Sequence, residues 1–92
     1  MANVADKTRN EAIREVVIPV LARIAGISEA EISDDQDLIR DMSMDSLAVL
    51  EVAVDLEAYY EIKIDDEDLD DIYTVGDILA YIEERMRKDE QQ

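Results

Sequence analysis

Apolar residues recur at helical spacing in three segments of this chain, and this periodicity is the strongest constraint on its fold. The segments cover residues 6–25, 46–60 and 75–87. Apolar side chains at i, i+3 and i+4 lie on one face of a helix, and such a face must be buried against other elements. With a shorter acidic helix within 65–71, the pattern predicts an all-α fold, a small four-helix bundle of three main helices and one short helix.

The composition fits one such bundle. At 92 residues the chain suits a single domain, and its 48% hydrophobic content can supply a core although 37% of the residues are charged. Two Gly, one Pro and four aromatic residues, all Tyr, favour helices over a sheet-rich fold. We expect one domain over residues 1–92, folded over about 5–87, with a frayed tail at 88–92.

The first helix and the connection after it carry distinct signals. Pro19 interrupts the helix and is expected to bend it, and Gly26 is suited to end it in a left-handed conformation. The connection to the second helix, about residues 27–45, is unusually long, and Ser28-Glu29-Ala30-Glu31 within it has the form of a capping box. Five apolar residues of this connection are expected to pack on the core: Ile27, Ile32, Leu38, Ile39 and Met42.

The second helix carries two apolar stripes, and Asp45 can cap its start by accepting amide hydrogens of the first turn. One stripe, expected to face the core, consists of Val49, Val52, Ala53, Leu56 and Tyr60. The opposite stripe consists of Leu47, Leu50 and Val54 and is flanked by Glu51, Glu57 and Glu61. Full burial would take these carboxylates out of water at a cost, so we favour an exposed, partner-facing stripe over a helix buried on all sides.

The remainder of the chain predicts a short link, the short helix and a final long helix. Residues 62–64 are expected to be extended, and the acidic helix after them is expected to bury Leu69 and Ile72. Thr74-Val75-Gly76-Asp77 has the form of a capping box in which Asp replaces Glu, so the last helix begins there. Its buried face is expected to consist of Val75, Ile78, Leu79, Ile82 and Met86.

The net charge of −16 is concentrated in the middle of the chain, where residues 28–71 hold most of the acids and only Arg40 and Lys63 as bases. Such a surface is a poor partner for nucleic acid or anionic membrane and a good one for basic protein surfaces. There is no signal-peptide pattern and no apolar run of transmembrane length, so we expect a cytoplasmic protein. The absence of Cys excludes disulfides and thiolate metal sites.

Ser46, at the start of the second helix, is the most distinctive candidate for chemistry. A nucleophilic serine needs a base, but the chain has no His, and the nearest basic residue, Arg40, cannot accept a proton at neutral pH. Ser46 is therefore a better candidate for a modification substrate than for a catalytic residue, and a helix start favours an attached phosphate. The alternative is an ordinary helix-start serine.

The acidic run of residues 65–71 lacks the pattern of a calcium-binding helix-loop-helix site. That site needs Gly at its sixth position and Glu at its twelfth, and counting from Asp65 these positions hold Asp70 and Gly76. We therefore predict no dedicated metal site, only weak binding of divalent cations by crowded carboxylates.

Several sequence elements together resemble the acyl carrier protein family. Asp45-Ser46-Leu47, placed before a two-striped acidic helix, resembles the modification site of that family. The resemblance continues in register through residues 34–38, 56–57, 62–67 and 73–77. It covers most of the chain, and this register makes it far more specific than the Asp-Ser-Leu triplet alone.

The resemblance implies that the chain is a carrier and not an enzyme. Ser46 would hold 4′-phosphopantetheine through a phosphodiester, transferred from coenzyme A by a phosphopantetheinyl transferase. The thiol of this cofactor would bear acyl groups as thioesters, and the acyl chain would enter the interior of the bundle. By position, the candidates to line that cavity are Val49, Val52, Ala53 and Leu56.

The resemblance also implies that partner enzymes dock on the second helix through basic, partly apolar patches. The matching face consists of Asp45, Leu47, Leu50, Glu51, Val54 and Glu57. We expect a monomer whose partners are the transferase and acyl-transfer, fatty-acid or polyketide synthesis enzymes. Two alternatives remain open at this point: a specialised polyketide or aminoacyl carrier, and an acidic adaptor in which Ser46 is never modified.

Two positions depart from the family pattern. Ser43 stands where the family commonly has Gly, so a positive φ at this position would cost stability. Ala48 follows Leu47 where fatty-acid carriers often have an acidic residue. The loss of that acidic contact points weakly to a specialised carrier.

Overall fold

The computed structural model describes residues 8–90, the last two by their backbone alone. Its four α-helices follow one another along the chain: α1 is Arg9–Ala25, α2 is Ser46–Tyr60, α3 is Asp66–Leu69 and α4 is Val75–Glu90. A short 3₁₀ turn, Glu29–Glu31, lies in the connection between α1 and α2, where the capping-box pattern predicted a helical turn. The predicted all-α bundle with one short helix is confirmed.

The two ends of α1 are fixed by local hydrogen bonds. The Thr8 hydroxyl accepts the Glu11 N–H at 3.0 Å and the Glu11 carboxylate accepts the Thr8 N–H at 3.1 Å, a capping box that the sequence contains but the prediction missed. The predicted start at Asp6 lies outside the described residues. Gly26 ends the helix at φ +76°, as predicted, and Pro19 lies within the helix.

The capping box predicted at the start of α4 is confirmed. Thr74 Oγ1 accepts the Asp77 N–H at 3.1 Å, and Asp77 Oδ2 accepts the N–H groups of Tyr73 and Thr74 at 2.9 and 3.1 Å. These bonds satisfy amide groups that the first turn of a helix would otherwise leave without partners.

The other end of α4 differs from the prediction. The helix continues to Glu90, so the prediction that it ends at Arg87 is wrong. Residues 88–90 are Lys, Asp and Glu, none of which breaks a helix as Gly or Pro does. Residues 88–90, which were predicted to belong to a frayed tail, are therefore part of α4. Residues 91–92, the rest of that predicted tail, lie outside the described part of the chain.

The core lies between α1, α2 and α4, and α1 packs against both of the other two. Its least exposed side chains come from all three helices and from the long connection: Ile13, Val17, Leu21, Leu38, Leu56, Val75 and Ile82. Among the side chains that the structure describes, those of residues 8–88, no polar or charged one is buried. The predicted inner stripes of α2 and α4 are confirmed, with Val49, Tyr60 and Met86 half-buried at their edges.

The long connection is tied to the start of α4 by main-chain hydrogen bonds. The Leu38 N–H donates to the Tyr73 carbonyl at 2.9 Å, and the Gly76 N–H donates to the Asp34 carbonyl at 2.8 Å. Gly76 fits this close approach because a Cβ at that position would lie 3.2 Å from the Asp34 carbonyl oxygen.

Most of the apolar residues predicted to hold the connection against the core do so: Ile27, Ile32, Leu38 and Met42. The prediction for Ile39 is wrong, because its side chain is 58% exposed. The Asp37 carboxylate accepts the N–H groups of Ile39 and Arg40, each at 2.9 Å, and folds a tight turn. In this turn Leu38 is buried and Ile39 is exposed.

Candidate functional site

Ser46 is the first residue of α2 and is exposed. The residue before it, Asp45, is the N-cap as predicted, and its Oδ1 accepts the Ala48 N–H at 2.8 Å. An exposed hydroxyl is thereby held at the positive end of a 15-residue helix. The chain contains no His, the side chain that most often removes a proton from a nucleophilic serine.

The turn before α2 contains one buried residue and one strained residue. Met44 is 3% exposed and its N–H donates to the Leu38 carbonyl at 3.1 Å, a core position that the prediction missed. Ser43 has φ +59°, so the left-handed backbone that favours Gly is present here with a side chain attached. Loop periodicity gives no signal for Met44, whereas a serine in the place of a family glycine did point to the backbone at Ser43.

A cleft of about 510 Å³ opens beside Ser46, between α2 and the segment that contains α3. Its wall is mostly apolar and consists of Leu38, Ile39, Leu47, Val49, Leu50, Leu69, Ile72 and Tyr73. Asp37, Asp66 and Asp70 lie in the same lining. A cleft of this size and character can accommodate an extended, partly apolar group.

One carboxylate of this cleft has a perturbed acidity. The Arg40 N–H, assisted by the Ile39 N–H, holds the pKa of Asp37 below its usual value, against the opposing effect of desolvation. The Asp37 carboxylate is thus bound to the tight turn beside the cleft by two N–H groups.

The four residues predicted to line an acyl cavity lie together on the inner side of α2. Val52, Ala53 and Leu56 are buried, Val49 is half-buried, and all four line a void of about 20 Å³. A void of that volume holds about one water molecule. Val49, Leu69 and Ile72 also line the cleft beside Ser46, so these three side chains lie between the two spaces.

The outer stripe of α2 is exposed, as predicted, by 65% at Leu47, 44% at Leu50 and 52% at Val54. A groove of about 270 Å³ runs between this stripe and α1. Arg23 of α1 and Asp55 of α2 lie in its lining and form an ion pair that the prediction missed. Nothing in the sequence pairs these two residues, because they meet only once α1 and α2 are packed.

Glu57 differs from the other predicted docking residues. Its Oε2 accepts the Ile64 N–H at 2.7 Å, and the side chain is half-buried. Glu57 therefore ties the end of α2 to the link at 62–64, whereas Glu51, one turn and a half earlier, is exposed on the outer face. Helical periodicity places both residues on one face but does not show this second role.

The described side chains, residues 8–88, include no group of three or more His, Cys, Asp or Glu arranged to hold a metal ion. Among the helices in that range, none combines the length and the apolar character needed to cross a membrane.

Comparison with known proteins agrees with the family resemblance found in the sequence. Residues 15–82 match the family model described as a phosphopantetheine attachment site, and this range contains Ser46, the cleft and the outer stripe of α2. The acyl carrier protein of Thermotoga maritima is 36% identical over 76 residues, which cover 83% of this chain and 94% of the relative.

Two mycobacterial proteins are also similar. The meromycolate extension acyl carrier protein of Mycobacterium tuberculosis is 38% identical over 73 residues, which cover 79% of this chain and 64% of the relative. A solved structure from the same species, provisionally described as an acyl carrier protein, matches with a TM-score of 0.70 at 28% identity. The match covers 76% of this chain and 93% of that structure.

Proposed function

Because this chain belongs to the acyl carrier protein family and matches the model of a phosphopantetheine attachment site, we propose that Ser46 is the residue to which 4′-phosphopantetheine is attached. The observation that supports the proposal is the exposed Ser46 hydroxyl at the start of α2, inside the range that matches the family model. Backbone N–H groups of a helix start and the helix dipole stabilise the phosphate that the attachment brings there.

The attachment reaction needs a separate enzyme. The Ser46 oxygen forms a bond to the phosphorus that carries pantetheine, the pyrophosphate P–O bond of coenzyme A breaks, and 3′,5′-ADP leaves. The serine proton goes to a base of the phosphopantetheinyl transferase, since this chain has no His to accept it. The carrier supplies the hydroxyl and its presentation, and in this proposal it catalyses no step itself.

We assign the cleft beside Ser46 to the pantetheine arm. Its mostly apolar wall begins next to the attachment point and includes Val49, which together with Leu69 and Ile72 lies between the cleft and the interior void. An acyl chain bound by the arm would pass Val49 and lie against Val52, Ala53 and Leu56. Because the void measures only about 20 Å³, a long chain would have to push these side chains apart.

The outer stripe of α2 is the proposed docking surface for partner enzymes. Its exposed apolar side chains offer contact area, while Asp45, Glu51 and the half-buried Glu57 offer negative charge to basic patches on a partner. Exposed ion pairs of this kind are individually weak. Weak pairs suit a carrier that must leave each enzyme after one step.

The proposed partners are a phosphopantetheinyl transferase and enzymes of fatty-acid or related synthesis. We further propose that the carrier is a monomer that works in the cytoplasm, where coenzyme A is available for its modification.

Intact-mass measurement after incubation with coenzyme A and a transferase tests the attachment site. We expect a gain of one phosphopantetheine group, its loss in Ser46→Ala, and its retention in the neighbouring control Ser43→Ala. No gain under conditions in which another carrier is modified would support an unmodified acidic adaptor instead. A gain that persists in Ser46→Ala would place the attachment elsewhere.

A carrier for a specialised pathway is the second candidate, and Ala48 favours it. Ala48 lies on the first turn of α2 beside Ser46, where it adds no charge to the docking surface. One of the relatives is a meromycolate extension carrier, and polyketide or aminoacyl cargo would be alternatives of the same kind. The mass of the group on protein recovered from its native cell distinguishes these from ordinary fatty-acid cargo.

A further inference from the structure

α3 does not pack closely against any of the other described helices. None of its Cα atoms lies within 8 Å of a Cα atom of another described helix, whereas α1 approaches α2 and α4 that closely. Leu69 at its end and Ile72 just after it are half-buried and cover the interior void together with Tyr81 and Ile82 of α4. A four-residue helix with so little packing depends strongly on each contact that it makes.

Tyr81, together with Ile72, lies between two spaces. On its inner side it lines the void of about 20 Å³ together with Val52, Ala53 and Leu56. On its outer side it lines a separate open groove of about 400 Å³, together with Asp68, Asp71, Asp77 and Glu84. Tyr81 therefore borders the space in which we propose that acyl chains lie.

The Tyr81 hydroxyl joins α4 to α3 through a short polar network. It donates to Asp68 Oδ2 at 2.7 Å and accepts from the Arg85 guanidinium at 3.0 Å. The same guanidinium donates to the Lys63 carbonyl, before α3, and lies 5.9 Å from the centroid of the Tyr81 ring. Tyr81 of α4 thus contacts α3 directly, and Arg85, one turn later in α4, contacts the link at residues 62–64 that precedes α3.

The hydroxyl is suited to remain a donor. Burial raises the pKa of Tyr81, and the hydrogen bond to Asp68 raises it further, against the opposing effect of Arg85. The proton therefore stays on the oxygen at neutral pH, and the Asp68 carboxylate keeps its partner.

We propose that Tyr81 is a positioning residue that latches α3 over the interior void through Asp68, and that this latch sets how readily a long acyl chain enters. The second half of this inference rests on the proposed carrier function. With the latch closed the void is too small for an acyl chain, so a loaded interior requires α3 to shift and the Tyr81–Asp68 hydrogen bond to open. Short acyl groups remain in the cleft and do not depend on the latch.

Amide hydrogen exchange of the unmodified protein tests the latch without any cargo. Tyr81→Phe keeps the ring but loses the hydroxyl, and the control Tyr59→Phe loses a hydroxyl from a side chain that is 63% exposed. We expect exchange at the Asp71 and Ile72 amides, which are hydrogen-bonded within the α3 segment, to become about tenfold faster in Tyr81→Phe alone. Unchanged exchange there, or an equal acceleration in α1, would overturn the latch.

Two variants of Asp68 separate the hydrogen bond from the charge. Asp68→Asn keeps an oxygen that can accept from Tyr81, so exchange in the α3 segment should stay close to that of the original protein. Asp68→Ala should match Tyr81→Phe, and combining the two should add nothing more. Additive effects in the double variant would mean that the two residues act separately and would contradict the latch.

The cargo half of the inference is tested on protein loaded with acyl groups. In Tyr81→Phe we expect a dodecanoyl thioester to be cleaved by hydroxylamine several-fold more slowly, because the chain enters the interior more readily. An acetyl thioester should be cleaved at an unchanged rate in the same variant. Equal effects on both thioesters, or none on dodecanoyl, would overturn this half. If the original protein accepts no phosphopantetheine at all, the proposed function fails, while the exchange experiment still decides the latch.

Discussion

The starts of α2 and α4 both use a capping carboxylate, but they are built for different purposes. At α4, Asp77 and Thr74 satisfy each other's backbone amides, and Gly76 lies against the Asp34 carbonyl. At α2, the Asp45 carboxylate accepts the Ala48 N–H, but Ala48 has no side chain that could reciprocate. The start of α4 is therefore closed and stabilising.

The start of α2, in contrast, stays open. It is preceded by Ser43 in a left-handed conformation and leaves the Ser46 hydroxyl exposed. The difference shows that stability was not maximised where the cofactor is proposed to be attached. A fully closed capping box with a glycine turn would be the more stable arrangement of the same backbone.

The largest expected effect is on the closed start. Asp77→Ala removes the acceptor of two backbone N–H groups and should lower the free energy of unfolding by about 2 kcal/mol. Asp45→Ala removes the acceptor of one and should cost about 1 kcal/mol. Urea unfolding gives the free energy of unfolding of both variants. Equal losses in the two variants would contradict the conclusion that the start of α4 is more stabilising than the start of α2.

A charge reversal near the open start should slow modification. Glu51→Lys places a positive charge on the exposed stripe of α2 and should reduce the rate of phosphopantetheine transfer about tenfold at low salt, with a smaller defect as salt screens the charge. Glu84→Lys makes the same charge change on exposed α4 and serves as the control. An unchanged transfer rate for Glu51→Lys at low salt would contradict the proposal that partner enzymes dock on α2.

The smallest expected effect concerns the strained turn. Ser43→Gly relieves a positive φ and should stabilise the fold by roughly 0.5 to 1 kcal/mol after the entropy of Gly is subtracted. Glu61→Gly relieves the same kind of backbone at the other end of α2, where φ is +56°, and should give a similar gain. Only Ser43→Gly lies next to Ser46, so a change in modification rate in that variant alone would show that the strain serves the site. Thermal unfolding measures the change in stability, and the phosphopantetheine transfer assay measures the change in modification rate.

Sequence reasoning succeeded where a local rule decides the structure. α2 has the predicted bounds because Asp45 caps it and its inner stripe is periodic. The helix end at Gly26 and the capping box of Thr74 and Asp77 were also predicted correctly, because each depends on a local sequence pattern. The extension of α4 beyond Arg87 was missed because a helix without Gly, Pro or a cap gives no stop signal.

The errors lie where distant parts of the chain meet. Ile39 is exposed against the prediction, and Met44 is buried where no prediction was made, because a turn without periodicity is shaped by hydrogen bonds to Asp37 and Leu38. The Arg23–Asp55 pair and the Tyr81–Asp68 contact join different helices, and no spacing rule links such residues. The four candidates on the inner side of α2 could be grouped from periodicity, but the small size of their shared void could not.

The hydrogen bond between Leu38 and Tyr73 also has a consequence for the order of folding. It joins residues far apart along the chain, so the loop between them must close before the turn that leads to Ser46 is held in place. We expect this turn to be among the last parts of the molecule to form. A nascent or misfolded chain would then expose a serine without its presenting turn, and a transferase that recognises that turn would act only on completed molecules.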